Sequence, residues 1–129
     1  MIFDSSSVLA ILFHEPDGGI FAEAISIAEL RRVSAATYVE LSIVVDAQDG
    51  SSGIHDLEQF FRQAEIVIEP FTVEQAYIAQ RAWSIYGRGK HPARLNFGDC
   101  FSYALAKALD EPLLFKGTDF SKTDIQSAV

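Results

Sequence analysis

The chain has a single cysteine, Cys100, so no intrachain disulfide can form, and an intracellular setting is the expectation. Long apolar runs are also missing. The longest, Val8 to Phe13, is six residues, far short of the ~20 a spanning helix needs. The N-terminus has neither the basic start nor the apolar stretch of a signal peptide, so the expected location is the cytoplasm, with no membrane partner. Only three histidines are present, His14, His55 and His91, and none pairs with another or with Cys100 at zinc-ligand spacing. Cys100 has no neighbouring base to activate it and reads as a small core residue.

Positive charge is scarce too, with 10 Lys and Arg against 18 Asp and Glu, a net charge of −8. The deficit is uneven. Residues 1–80 hold 13 acids and 3 bases, a balance of −10, whereas residues 81–129 hold 5 acids and 7 bases, a balance of +2. Arg88, Lys90, His91 and Arg94 crowd into one Gly- and Pro-containing loop. Screening makes charge effects short-ranged, so such a patch matters more to a phosphate ligand than the global sum.

What is present is a globular composition, 49% apolar, in 129 residues: enough for one domain, expected to span 1–129. Short apolar segments at 1–4, 32–35, 66–68 and 112–115 read as strands, with 66–68 β-branched, expected to be buried, and closed by Pro70. Between them the spacing predicts helices over 8–13, 20–30, 37–46, 54–64, 73–86 and 96–109, with loops at 16–19 and 50–53. Ser5, Ser6 and Ser7 are expected to cap the first helix. In 73–86, Ala76, Tyr77, Ala79, Ala82 and Trp83 are expected to form the inward stripe. Strands alternating with helices indicate an α/β domain with a parallel sheet.

Four acids recur where these helices begin: Asp4, Glu40, Asp99 and Asp119. Each has a plain capping reading. Thr37-Tyr38-Val39-Glu40 and Asn96-Phe97-Gly98-Asp99 both have capping-box form, Asp4 could accept from the amides of Ser6 or Ser7, and Asp119 could cap a last turn. Together they read differently. Parallel sheets bind ligands beyond the carboxyl ends of their strands. Carboxylates converging there would repel one another without a cation, and an all-oxygen set suits Mg²⁺ or Mn²⁺. His14 and His55 are expected on the surface and His91 against phosphate.

The segments Met1-Ile2-Phe3-Asp4-Ser5-Ser6, Tyr38-Val39-Glu40, Leu95-Asn96-Phe97-Gly98-Asp99-Cys100 and Pro112-Leu113-Leu114-Phe115-Lys116-Gly117-Thr118-Asp119-Phe120 together resemble the PIN domain. Within it they resemble the VapC toxins of type II toxin–antitoxin pairs. The resemblance implies a three-layer α/β fold, a small, mostly parallel sheet flanked by helices. It implies a metal-dependent endoribonuclease that leaves a 5′-phosphate and a 3′-hydroxyl. Asp4 and Asp99 match its direct Mg²⁺ (or Mn²⁺) ligands, Glu40 and Asp119 the two acids that act through water. Ser6 matches a hydroxyl that supports the first Asp, and Asn96 a polar position bordering the cleft. Arg88, Lys90 and Arg94 are the candidates for gripping the RNA backbone. Asp124 reads as peripheral. The implied partners are a VapB-type antitoxin and a second copy of the chain.

Three other classes share part of this pattern. A receiver-like phosphoacceptor would use Lys116, but needs an acidic pair after the first strand where Ser5 follows Asp4. An Asp-x-Asp phosphatase fails at Ser6 in the same way. A catalytically silent interaction module would have no need of four acids.

Overall fold

Alternation within very short strands sets the layers. In the computed structural model, which describes residues 1–129, the strands are β1 (Ile2–Phe3), β2 (Arg32–Ser34), β3 (Val67–Glu69) and β4 (Leu113–Leu114). Successive strand residues face opposite sides. Ile2 and Leu113 join one apolar cluster, Phe3 and Leu114 the other, and all four are fully buried. Helices α1 (Ser5–Leu12), α2 (Gly18–Ile27) and α3 (Ala35–Gln63) cover the Phe3 side through Val8, Phe21, Ile25, Leu41, Val45 and Leu57. Helices α4 (Val73–Tyr86) and α5 (Phe97–Leu109) cover the Ile2 side through Ala82, Tyr103, Leu105 and Ala106.

All strand pairs are parallel, in the order β3-β2-β1-β4, with Ile2 level with Arg32 and Leu113, and Arg32 level with Val67. The chain winds outward from β1 through β2 to β3, then returns to place β4 on the other side of β1. That reversal opens a crevice at the carboxyl end of β1, the usual ligand position in such sheets. Asp4 follows β1 directly and the loop after β4 carries Asp119.

Several boundaries differ from those predicted. The serines do not begin α1 as caps; Asp4 is its N-cap, accepting from the Ser6 amide, and the helix starts at Ser5. Helix α2 starts at Gly18, so the break at 16–19 is only a short turn. The segments 37–46 and 54–64 are two helices, as expected, that meet without a loop inside the span Ala35–Gln63: only Gly50 (φ 63°, ψ −142°) is non-helical between them, a conformation open to glycine at little cost. Ser51, Ser52 and Gly53 are helical rather than loop. Strand β3 is an edge strand and, unlike β4 at the other edge, is not covered: Val67 and Ile68 are exposed and only Ile66, just before it, is buried. On α4 the inward residues are Gln75 and Ala82, while Tyr77 and Trp83 are exposed. No helix is long and apolar enough to cross a membrane.

Candidate active site

Asp4 is the fixed point. Its position after β1 buries it to 3% exposure, and every polar neighbour that reaches it donates. Oδ2 accepts the Ser6 amide at 3.1 Å and the Ser6 hydroxyl at 2.7 Å; Oδ1 accepts the Ser102 hydroxyl at 2.6 Å. Ser6 Oγ in turn accepts the Lys116 amide at 3.0 Å, tying the loop after β4 to the Asp4 carboxylate.

Asp99 stands at the third position of α5 in a closed capping box. Its amide donates to Asn96 Oδ1 at 2.9 Å, and its Oδ2 accepts the Asn96 amide at 2.9 Å. The box orients one carboxylate oxygen and leaves the other free. Burial raises Asp99 most; the Asn96 amide opposes this, and the charges of Asp4, Asp119 and Glu40 add to it, leaving the pKa at about 7. The four acids thus share one electrostatic neighbourhood.

Glu40 is not part of a capping box. The N-cap of α3 is Ser34, which accepts the Ala36 amide at 3.2 Å, so the helix begins before Thr37 and Glu40 lies well inside it. Its carboxylate lies over Gly98 instead, with Oε2 only 2.0 Å from where a Cβ on that glycine would sit. Burial raises the Glu40 pKa, the nearby Ser5 hydroxyl lowers it, and the Asp4 charge raises it. Asp119 is exposed at the start of the 3-10 turn Phe120–Lys122 and makes no side-chain cap bond, so the capping reading fails there as well.

As they stand, no three His, Cys, Asp or Glu side chains are close enough together to enclose a metal ion. The donor set is nonetheless hard oxygen throughout. Burial lifts Asp99 most and the charges of Asp4, Asp119 and Glu40 add to it; a divalent cation would relieve both, so the residues fit such a group.

The basic loop joins α4 to α5 and ends at Asn96. It is pinned at its ends, Arg88 N–H donating to the Leu95 carbonyl and Leu95 N–H to that of Tyr86. Arg88, Lys90 and Arg94 are exposed and none forms a salt bridge. Lys90 Nζ lies 5.9 Å from the Trp83 ring. Arg88 and Asn96 border a cavity of about 630 Å³ lined by Phe71, Trp83, Phe97 and Phe101. His91 does not present both ring nitrogens to a ligand. Its Nδ1 accepts the Ala93 amide at 3.0 Å and its ring meets Tyr86 edge-on, so it braces the loop.

His14 and His55 are exposed. Cys100 is buried, and its thiol is pushed up to about 11, first by burial and then by Asp99. Asp124 accepts from Tyr103 at 2.7 Å and from Lys107 at 2.9 Å, away from the four acids. Lys116 Nζ binds Glu15 and Asp17, not Asp4, unlike the lysine of a phosphoacceptor. Two residues beside Asp4 were missed from sequence: Ser102, which donates to Asp4, and Thr37, 3.4 Å behind Ser102.

The PIN domain model matches residues 1–126. The chain is 48% identical to ribonuclease VapC28 of Mycobacterium tuberculosis over 130 residues, 100% of this chain and 98% of that one. Its fold is similar to that of the sarcin-ricin loop cleaving toxin VapC20 of Mycobacterium tuberculosis, with TM-score 0.77 at 16% identity over 97% of this chain and 96% of that one. It is also similar to a chain of VapBC2 from Rickettsia felis, solved bound to a DNA fragment from their promoter, with TM-score 0.74 at 16% identity over 98% and 96%. The chain belongs to the PIN-domain family, and within it to the VapC ribonucleases.

Proposed function

We propose that the chain is a metal-dependent endoribonuclease, acting as the toxin of a type II toxin–antitoxin pair and built as one PIN domain over 1–129. What supports this is placement: Asp4 directly follows β1, Asp99 opens α5, whose Ser102 donates to Asp4, and Glu40 lies over Gly98, next to Asp99, at the carboxyl end of the parallel sheet. Asp4 and Asp99 are the residues that would hold Mg²⁺ or Mn²⁺ directly, with Glu40 and Asp119 supporting through water. When bound, such an ion stabilises charge on the phosphoryl group and makes water more acidic.

The chain's own groups do the rest. Ser6 secures Asp4, and Asn96 fixes Asp99 at the rim of the cleft. Glu40, unused as a cap, orients a water in line with phosphorus and takes its proton. Attack by that water with rupture of the P–O3′ bond, the departing oxygen taking a proton from solvent, leaves the 5′-phosphate and 3′-hydroxyl that the family implies; it needs no ribose 2′-OH, so preference for RNA comes from shape and from loop contacts. Arg88, Lys90 and Arg94, unpaired and leading into Asn96, hold the backbone beside the cut.

The partner follows from charge and family. A VapB-type antitoxin would place a basic or polar side chain among the four acids, aided by the −10 balance of residues 1–80. The working form is a homodimer in the cytoplasm. Expression of wild type beside Asp4→Asn and Asp99→Asn, with and without Mg²⁺, followed by mapping of RNA ends, tests the reading. Cleavage should occur only in wild type with Mg²⁺; identical RNA ends in every sample would reject it.

A further inference from the structure

We propose that Ser102 is a positioning residue for Asp4, determining which carboxylate oxygen is left to meet a cation; this rests on the reading of Asp4 as a metal ligand. A carboxylate offers about four lone-pair sites. Oδ2 of Asp4 receives two donors, the Ser6 amide and the Ser6 hydroxyl. The direction of the second bond is settled, because an ionised carboxylate only accepts, and Ser6 Oγ can meanwhile accept the Lys116 amide. Oδ1 receives only the Ser102 hydroxyl, at 2.6 Å. One lone pair of Oδ1 remains, so Asp4 is a one-point ligand whose orientation Ser102 sets.

The placement of Ser102 supports a role beyond local satisfaction. It lies three residues after Asp99 on α5, and Thr37 lies three residues before Glu40 on α3. Residues three apart share a helix face. Both hydroxyls are fully buried and lie 3.4 Å apart. The chain Thr37–Ser102–Asp4 therefore joins, beneath the pocket, the three elements that carry Glu40, Asp99 and Asp4. It fixes the register between those acids as well as the rotamer of one.

The test compares wild type, Ser102→Ala, Ser102→Thr and Asp4→Asn. Mn²⁺ binding is measured by calorimetry without RNA, thermal stability by circular dichroism, and RNA cleavage against Mg²⁺ concentration. Ser102→Ala should weaken Mn²⁺ binding about 10- to 100-fold and raise the Mg²⁺ requirement equally, leaving the KM for RNA at saturating Mg²⁺ unchanged. Ser102→Thr, which keeps the hydroxyl, should recover most of the Mn²⁺ affinity; if the added methyl group unfolds it, Thr37→Val, expected to give a smaller loss of affinity, takes its place. Mn²⁺ binding by Ser102→Ala equal to wild type, whether or not its melting temperature falls, overturns the positioning role while Asp4→Asn still loses the metal. Undiminished binding by Asp4→Asn overturns the parent reading and this one with it.

Discussion

Gly98→Ala separates the stability of this fold from its chemistry. Gly98 is the second residue of α5 and lies directly beneath Glu40. A Cβ there would be 2.0 Å from Glu40 Oε2, 2.8 Å from Cδ and 3.1 Å from Oε1. Ordinary contact begins at 3.4 Å, so the nearest oxygen must retreat by 3.4 − 2.0 = 1.4 Å. The obstacle is the end of a flexible, half-buried side chain, so the carboxylate swings aside and the helix stays in place. Glycine to alanine within a helix stabilises by about 0.5–1 kcal/mol, less in a first turn. Stability should therefore hold or rise slightly, as read by urea denaturation. Misplacing a positioned group by ~1 Å costs about 10²-fold in rate, and initial rates of RNA cleavage at saturating Mg²⁺ should fall by that order. In a Glu40→Gln background the same change should cost little further activity. A wild-type rate for Gly98→Ala would refute the reasoning, as would a large loss of stability.

Other outcomes follow from the same geometry. Asp99, raised from 3.8 to about 7, holds more protons folded than unfolded across that interval, so without divalent cation its contribution to stability should fall as pH rises from about 4 to 7. Asp99→Asn should flatten that decline in thermal melts, and wild-type Mn²⁺ affinity should increase through pH 7 with proton release seen by calorimetry in buffers of different ionisation heat. Neutralising Arg88, Lys90 and Arg94 together should weaken RNA binding and reduce the slope of log affinity against log salt by about 2, as read by fluorescence anisotropy. Asp124→Asn removes the Lys107 ion pair and weakens the Tyr103 bond; it should cost about 0.5–1 kcal/mol of stability and leave cleavage unchanged.

Three acids occupy recognisable local slots, Asp4 after an apolar triplet, Asp99 in a capping box and Asp119 in a turn, whereas Glu40 read as a capping-box residue and instead lies inside α3 over Gly98. What remained hidden depends on contacts distant in sequence. Ser102 donates to a residue 98 positions away, and its only local signal is a lone hydroxyl within the run Phe101 to Ala106. Thr37 read as a cap because a β-branched hydroxyl residue at a helix start commonly is one, yet Ser34 holds that place. Val67 and Ile68 have the composition of a central strand, and only the strand order puts them at an edge. The Gly50 to Gly53 run read as a loop because glycine disfavours helix; Gly50 does break the helix, but Ser51, Ser52 and Gly53 already belong to the next one, so the break is a single residue.

The central claim is that four carboxylates at the carboxyl end of this sheet hydrolyse RNA with the help of a divalent ion. Its most direct test is the chemistry of the RNA ends left by purified protein with Mg²⁺ and with EDTA. The account predicts cleavage only with Mg²⁺, giving 5′-phosphate and 3′-hydroxyl ends. Cleavage that persists in EDTA, or that leaves 2′,3′-cyclic phosphate, would contradict it.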